Sequence, residues 1–352
     1  MKRLQGMGWP VATGLMAALL IMQTLHYREP APHTSPTSYA DAVRRATPAV
    51  VNIYTRTIIT ERRRVPVPQG WLLFEQSRSG QSLGSGVIMT ADGYILTNNH
   101  VISGASEIRV QLADGREAIA RLIGSDPDTD LAVLGIDLPD LQPIAVGNVG
   151  AAEVGDVVLA IGNPYGVGQS VSQGIISATG GHNLRPDIYD NYIQTDAAIN
   201  PGNSGGALLD THGNLLGINT MIISRGGGSQ GVGFAIPADY AIKALRDIVE
   251  HGSVERGWLG IEVQPLPVRI DAARETFTGM VVSDVEPGSP AQAAGVRPGD
   301  ILLTLNGTPT NEGRNTMNRL LRMAPGDPFT LGVWRDGGAK ELRGKLGQAP
   351  AH

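Results

Sequence analysis

The sequence predicts a mostly β chain, an all-β barrel or sandwich followed by a small α+β module, with one apolar segment ahead of both. Three observations carry this. Glycine supplies 46 of 352 residues, against a usual share of about 7%, and only 17% are charged, a balance suited to short strands and tight turns. Between residues 50 and 236, short β-branched or aliphatic runs are repeatedly broken by Gly, Asp and Asn. The length exceeds one ordinary core and fits two domains with extensions.

Several chemistries are excluded at once. There is no Cys, which removes disulfide scaffolds, thiol nucleophiles and zinc-thiolate sites. The net charge of -5 argues against a broadly basic face, so nucleic acid is not an expected partner. The chain has no His-Glu-x-x-His, no phosphate-binding Gly-Lys-Ser/Thr loop and no dinucleotide fingerprint after a strand. Neither a metal nor an organic cofactor is therefore expected.

The elements follow in chain order. Lys2 and Arg3 precede an uncharged stretch, residues 4–25, about the length of one membrane-crossing helix. No small-x-small cleavage site ends it, so an uncleaved anchor is expected, with the positive end in the cytoplasm and the rest of the chain across the membrane. Residues 30–38 are rich in Pro, Ser and Thr and read as an extended spacer. Turn signals stand at Ala91-Asp92-Gly93, Ala113-Asp114-Gly115 and Thr211-His212-Gly213-Asn214. The polar, Pro-containing insertion 59–82, with Glu61-Arg62-Arg63-Arg64, reads as a solvated loop. A helix is predicted over 238–250, with Tyr240, Ile242, Leu245, Ile248 and Val249 on its apolar face and Gly252 beyond its end. The second module shows strand patterns at 258–263, 280–285 and 301–305 and a helix at 315–323.

The candidate chemistry centres on Asn200-Pro201-Gly202-Asn203-Ser204-Gly205-Gly206. A Ser among glycines can be approached by a substrate carbonyl while backbone N–H groups turn toward its oxygen, although in a Gly-rich β protein the same pattern also serves as a turn. A nucleophilic Ser needs a base, and a neutral His needs an acceptor that fixes its tautomer. Of seven His, His100 sits at the end of a predicted strand, where it can face a cleft, whereas the others fall in tails, loops or a helix end. Asp130 opens the apolar strand Leu131-Ala132-Val133-Leu134, while Asp126 and Asp128 lie in the turn before it. The order His, Asp, Ser is one known solution to triad geometry.

Thr97-Asn98-Asn99-His100-Val101, Asp130-Leu131-Ala132-Val133-Leu134 and Gly202-Asn203-Ser204-Gly205-Gly206 resemble the three catalytic blocks of HtrA-type serine proteases. Ala160-Ile161-Gly162-Asn163-Pro164 and Gly233-Phe234-Ala235-Ile236-Pro237 agree with the same family. The resemblance implies a chymotrypsin-like double β-barrel with Ser204 as nucleophile, His100 as base, Asp130 as its partner and the N–H groups of Gly202 and Ser204 as oxyanion hole. Gly257-Trp258-Leu259-Gly260-Ile261 and the segment 288–302 resemble a PDZ domain of that family, whose carboxylate-binding loop would be Trp258, Leu259, Gly260 and Ile261. The implied domain plan is an N-terminus and anchor over 1–25, a linker over 26–38, a protease with its linking helix over 39–252 and a PDZ domain over 253–348.

Departures refine this. Asn203 stands where digestive relatives carry an Asp that pairs with a freshly cut N-terminus. Ala198 occupies the position of the specificity Asp of trypsin-like enzymes, so cleavage after Lys or Arg is not expected, and a pocket of Ala198, Ile218, Asn219 and Thr220 would suit small or medium aliphatic side chains. The apolar N-terminus and single PDZ domain resemble the DegS-type branch. That implies a homotrimer anchored in the bacterial inner membrane, with both domains in the periplasm. C-terminal peptides of misfolded outer-membrane proteins would be its ligands and a membrane anti-sigma factor its substrate. Where that branch places an Arg in its sensor loop, this chain has Gly181, with His182 and Arg185 following. The competing readings are a general periplasmic quality-control protease and a non-catalytic PDZ scaffold.

Overall fold

The structure is a computed structural model and describes residues 16, 38–67, 70–163, 168–181, 191–222, 229–266, 279–310, 320 and 323–348. The chain divides into two compact units, Met1–Tyr39 and Ala40–His352. In the first, only residues 16, 38 and 39 are described, so the expected anchor and spacer lie almost wholly outside the described residues. Among the described residues no helix is long and apolar enough to cross a membrane.

The second unit opens with the helix Ala40–Ala46 and then a sheet of seven strands: β1 (Val50–Val67), β2 (Gly70–Ile88), β3 (Tyr94–Asn98), β4 (Glu107–Gln111), β5 (Glu117–Ile119), β6 (Arg121–Asp126) and β7 (Leu131–Gly135). Their order is β5-β4-β1-β2-β3-β7-β6. Only Ala120 separates β5 from β6, the two ends of that order, so the sheet has to curl until its edges meet. This half is thus a barrel joined by the chain and not by a hydrogen-bonded ladder. Its inward residues, among them Val51, Ile53, Ile88, Ile95, Val110 and Leu134, form one core. Each such side chain contributes about 1.5–3 kcal/mol when fully buried.

The insertion 59–82 is a correction to the loop expectation. β1 and β2 stay paired antiparallel from Val50↔Val87 to Val67↔Gly70. The ladder begun in the core simply continues outward, through segments containing Thr57, Ile58, Ile59 and Thr60 on one strand and Trp71 and Phe74 on the other, residues that favour extended backbone. β4 flanks β1 only over Asn52 to Arg56, so beyond that point the hairpin is a two-stranded arm.

A closed barrel follows, ordered β10-β13-β12-β11-β8-β9. Its strands are β8 (Val157–Gly162), β9 (Ser170–Gly181), β10 (Asn191–Thr195), β11 (Ala207–Leu209), β12 (Leu215–Ile222) and β13 (Gly233–Pro237). Val158, Ile176, Ile193, Leu208 and Leu216 fill it. The three turns read from sequence join β2 to β3, β4 to β5 and β11 to β12. The predicted helix is Ala238–His251, with Gly252 as a left-handed C-cap at φ 81°.

The remaining residues form a small module whose main sheet runs β15-β16-β17-β19-β20. These are β15 (Ile261–Leu266), β16 (Gly279–Val285), β17 (Ile301–Leu305), β19 (Pro328–Arg335) and β20 (Gly338–Lys345), with β18 (Thr308–Pro309) beside β17. β14 (Gly257–Trp258) pairs with β21 (Gly347–Gln348) and ties the module's two ends together. The single strand expected over 258–263 is broken, because Gly260 at φ 72° turns the chain between β14 and β15. Most of the predicted helix 315–323 lies outside the described residues.

Candidate active site

The site forms where the two β halves of the larger region meet. His100 follows β3 on the one-turn helix Asn99–Ile102, and Asp130 immediately precedes β7, the strand paired with β3. That pairing brings the two together. Asp130 Oδ2 lies 2.6 Å from His100 Nδ1, and its Oδ1 accepts the His100 backbone N–H at 2.9 Å. The carboxylate therefore fixes both the ring and the chain that carries it. Asp130 itself sits at φ 61°, a left-handed conformation that Asp tolerates better than most residues. Its carbonyl is held by Asn99 N at 3.0 Å and Asn98 Nδ2 at 3.0 Å. Half of the His100 side chain remains exposed.

Ser204 comes from the other half, on the loop between β10 and β11. Its Oγ donates to the carbonyl of Thr220 at 2.9 Å, and among the described residues no hydrogen bond joins it to His100. The loop ahead of it is a tight turn, closed by Asn203 N donating to Asn200 O at 2.9 Å, with Gly202 at φ 103°. Pro second and a left-handed Gly third is the signature of a type II turn. Among the described residues, no acceptor is paired with the N–H of Gly202 or of Ser204. Both donors remain available for an oxyanion. Gly205, at φ 83°, admits no side chain: a Cβ there would lie 2.1 Å from the carbonyl oxygen of Ser85.

Thr220, expected as a pocket residue, also reaches the catalytic carboxylate. Its Oγ1 donates to Asp130 Oδ2 at 2.8 Å, which gives that carboxylate a third donor. The cause is a β-bulge: Asn219 pairs with Ala235 and Met221 with Phe234, leaving Thr220 as the extra residue. A bulge re-aims a side chain, and here it turns a threonine toward the Asp. Ile218 and Asn219 are fully buried, and Asn219 Nδ2 is spent on the carbonyl of Ala207 at 3.0 Å. Of the four expected pocket residues only Ala198 is exposed. Asn203 is buried, with Nδ2 3.4 Å from the Ala198 carbonyl, so a neutral amide occupies the place of a buried ion pair.

Residues 84–218 match the trypsin-like peptidase domain family, and residues 257–346 match the PDZ domain family. The serine endoprotease DegS of Salmonella typhimurium is 43% identical over 310 residues, covering 86% of this chain and 83% of that protein. The chain belongs to the HtrA family of serine endoproteases. The periplasmic serine endoprotease DegP of Escherichia coli is 44% identical over 270 residues, 74% of this chain but only 56% of its own length. Among solved structures, the HtrA-type protease AlgW with a tripeptide superposes with a TM-score of 0.75 at 48% identity, over 90% of this chain and 98% of that one. The same protease with a decapeptide gives 0.74 at 47%, over 90% and 100%. The protein is a serine endopeptidase with one trypsin-like domain and one PDZ domain.

Within this HtrA protease, the expected peptide-binding loop lies between β14 and β15. Leu259 is buried, Trp258 and Ile261 are half-buried, and Gly260 packs against Ser289 so closely that a Cβ would sit 2.3 Å from the serine Cβ. The carbonyls of Leu259 and Gly260 accept from Ala291 N at 3.0 Å and Glu286 N at 2.9 Å. β15 is an edge strand of the sheet. An extended peptide could add to that edge.

Several residues that organise the site were given no role of their own from sequence. Ser85, Thr97 and Asn98 are buried polar residues around the catalytic loop, and Gly84-Ser85-Gly86 carried a signal, a Ser between small residues where backbones approach closely. Arg256 left none. One residue before the PDZ match, its Nη2 donates to Asp126 Oδ1 at 2.6 Å and its Nη1 lies 3.1 Å from Asp128 Oδ2. Thr129 Oγ1 also donates to Asp126. Burial opposes the charged guanidinium, but Asp126, Tyr240 and Asp128 together outweigh it and hold Arg256 above its ordinary pKa. The start of the PDZ domain is thereby pinned to the turn that delivers Asp130.

Proposed function

We propose that this protease is a periplasmic stress sensor, anchored through residues 4–25, that binds exposed C-termini of misfolded outer-membrane proteins and cleaves a membrane anti-sigma factor as a homotrimer. Ser204 attacks the scissile carbonyl, His100 accepts its proton and returns it to the leaving amine, and Asp130 orients His100 and stabilises its cation. The N–H groups of Gly202 and Ser204 receive the oxyanion. Ala198 leaves room for small or medium aliphatic side chains before the cut, and Trp258, Leu259, Gly260 and Ile261 bind the C-terminal carboxylate of the activating peptide.

The observation that carries regulation is the resting bond of Ser204. His100 and Asp130 are joined, while the Ser204 hydroxyl is engaged by the Thr220 carbonyl at 2.9 Å. Catalysis requires the hydroxyl to turn from that carbonyl to His100, so a ligand that binds the engaged arrangement more tightly shifts the population toward activity. Support also comes from Arg256, which links the PDZ boundary to the Asp130 turn, and from the DegS and AlgW relatives.

The test is cleavage of a candidate anti-sigma factor and of casein by the full chain, with and without a C-terminal peptide. Stimulation by peptide supports sensing. High activity without peptide sinks it in favour of general quality control, and no cleavage in either condition favours a scaffold. Ser204→Ala must abolish proteolysis, and persistence of full activity in the purified variant would remove the nucleophile assignment.

A further inference from the structure

Ser85 uses its hydroxyl, its N–H and its carbonyl at the junction of the two β halves, and none of these groups is accounted for by the triad. It is fully buried on β2. Its Oγ donates to the carbonyl of Gly202 at 2.7 Å and accepts the N–H of Asn163 at 2.9 Å. Its backbone N–H donates to the carbonyl of Ser204 at 2.8 Å, and its own carbonyl accepts from Thr97 Oγ1 at 2.7 Å. Thr97 lies three residues before His100 on β3. One residue of the first half therefore holds the carbonyls on either side of Asn203, in the loop of the second half that offers the N–H groups of Gly202 and Ser204.

We propose that Ser85 is a positioning residue for the oxyanion hole. The reasoning is geometric. A residue's N–H direction follows from the orientation of the peptide planes around it, and at a glycine those planes are free to rotate. Gly202 has no side chain to restrict it, so its conformation is set by bonds to its neighbours. Asn203 N is fixed by the turn bond to Asn200 O, and the Gly202 carbonyl on the same peptide plane is fixed by the Ser85 hydroxyl. Without that hydroxyl, the plane next to the oxyanion donors keeps one restraint instead of two. Donors aimed in advance stabilise the transition state because no reorganisation is needed as charge develops. Deleting such a donor outright costs about 10²–10³-fold in kcat. Loosening its aim is a smaller perturbation, and on that scale a loss on the order of 10-fold is expected.

The proposal rests on the assignment of Ser204 as nucleophile, and the experiment separates the two. Ser85→Ala and Ser85→Cys are made in the full chain alongside Ser204→Ala, and active sites are titrated so that unfolded protein is not counted. For Ser85→Ala, kcat is expected to fall about 10-fold with little change in KM, and the inhibition constant of a peptide boronate to rise by a similar factor. The binding of a product-like peptide should stay within about twofold. The Cys variant keeps a weak donor and should recover part of the loss. Because the hydroxyl also serves buried backbone groups, the melting temperature should drop. A purely structural role would lower that temperature while leaving kcat per titrated site and boronate affinity at wild-type values, and this result would overturn the proposal. If Ser85→Ala fails to fold, the Cys variant carries the same comparison. Activity retained by Ser204→Ala would remove the nucleophile reading instead.

Discussion

The two ends of the folded chain handle their polar groups in opposite ways. At the junction of the β halves, the Asp130 carboxylate is engaged by His100, by the His100 backbone and by Thr220, and the loop before Ser204 is held through Ser85. In the PDZ module the interior is locked by the buried pair of Asp300 with Arg335, while β15 stands at the edge of its sheet beside the Gly260 turn. Closed networks suit chemistry, which needs groups fixed before the reactant arrives. An open edge suits recognition, since the incoming main chain supplies the missing hydrogen bonds. Arg256 sits between the two and belongs to neither.

The largest effect should come from breaking the closed network by one atom. In Asp130→Asn the left-handed backbone is tolerated and the side chain keeps its shape, yet Oδ1 takes the His100 backbone N–H while Oδ2 takes both His100 Nδ1 and Thr220, and because the backbone N–H can only donate, the amide NH2 is turned toward His100 Nδ1 and Thr220. His100 is then driven to the wrong tautomer, and kcat should fall by about 10⁴-fold with the melting temperature nearly unchanged. Stopped assays of peptide cleavage together with thermal denaturation check this. A loss below tenfold would show that Asp130 does not orient the base.

How much of this was legible follows from what each residue reports locally. The three turns, the helix Ala238–His251 and the His, Asp and Ser blocks are written in contiguous sequence, through turn chemistry, helical periodicity and small residues around a nucleophile. The bond of Thr220 to Asp130 was not legible, because the bulge that turns the side chain is a property of pairing with β13 and leaves no trace in β12 alone. Arg256 and Asp126 are 130 residues apart, and nothing near either marks the other. The arm formed by β1 and β2 was read as a loop from its charges and prolines, whereas its register is inherited from the core ladder.

Arg256→Ala tests whether the two ends are joined. Removing one partner of a buried, well-bonded pair leaves Asp126 uncompensated, at a cost of about 3 kcal/mol. The first unfolding transition of the intact chain should move down by several degrees, and peptide stimulation of cleavage should shrink relative to wild type. Arg256→Lys, which cannot reach Asp126 and Asp128 together in the same fork, should fall between. Unchanged stimulation in both variants would separate the PDZ boundary from the Asp130 turn.

On the open side, Gly260→Val should damage recognition and leave the chemistry of the triad intact. The added side chain would meet Ser289 and Trp258 and force the turn between β14 and β15 out of its left-handed conformation. Binding of a fluorescent C-terminal peptide, followed by anisotropy, should weaken on the order of 30-fold, equivalent to about 2 kcal/mol. Wild-type affinity would mean that this turn is not where the peptide ends.

The smallest effect sharpens the contrast by pH. Asp300 receives Arg335 Nε at 2.6 Å and Arg335 Nη2 at 2.6 Å, along with the N–H of Arg297 at 2.9 Å. Burial pushes its carboxyl upward, but the bonds from Arg335 and Arg297 prevail and hold it below the ordinary carboxylate value. A carboxylate with a depressed folded-state pKa stabilises the fold above its unfolded value, near about 4, and that contribution drains away as pH falls through the folded value. Proton uptake is then greater in the unfolded state, so stability rises with pH across that acid window and is flat above it. Asp300→Asn removes the titrating group, and the PDZ transition should lose this acid slope while the transition of the larger region keeps its own. Arg335→Ala should instead leave a buried carboxylate whose pKa climbs, and that carries the sensitive window to higher pH. Thermal unfolding of the intact chain between about pH 3 and 7 distinguishes these outcomes. An unaltered slope in Asp300→Asn would show that the lock is held by packing around Arg335 and not by its charge.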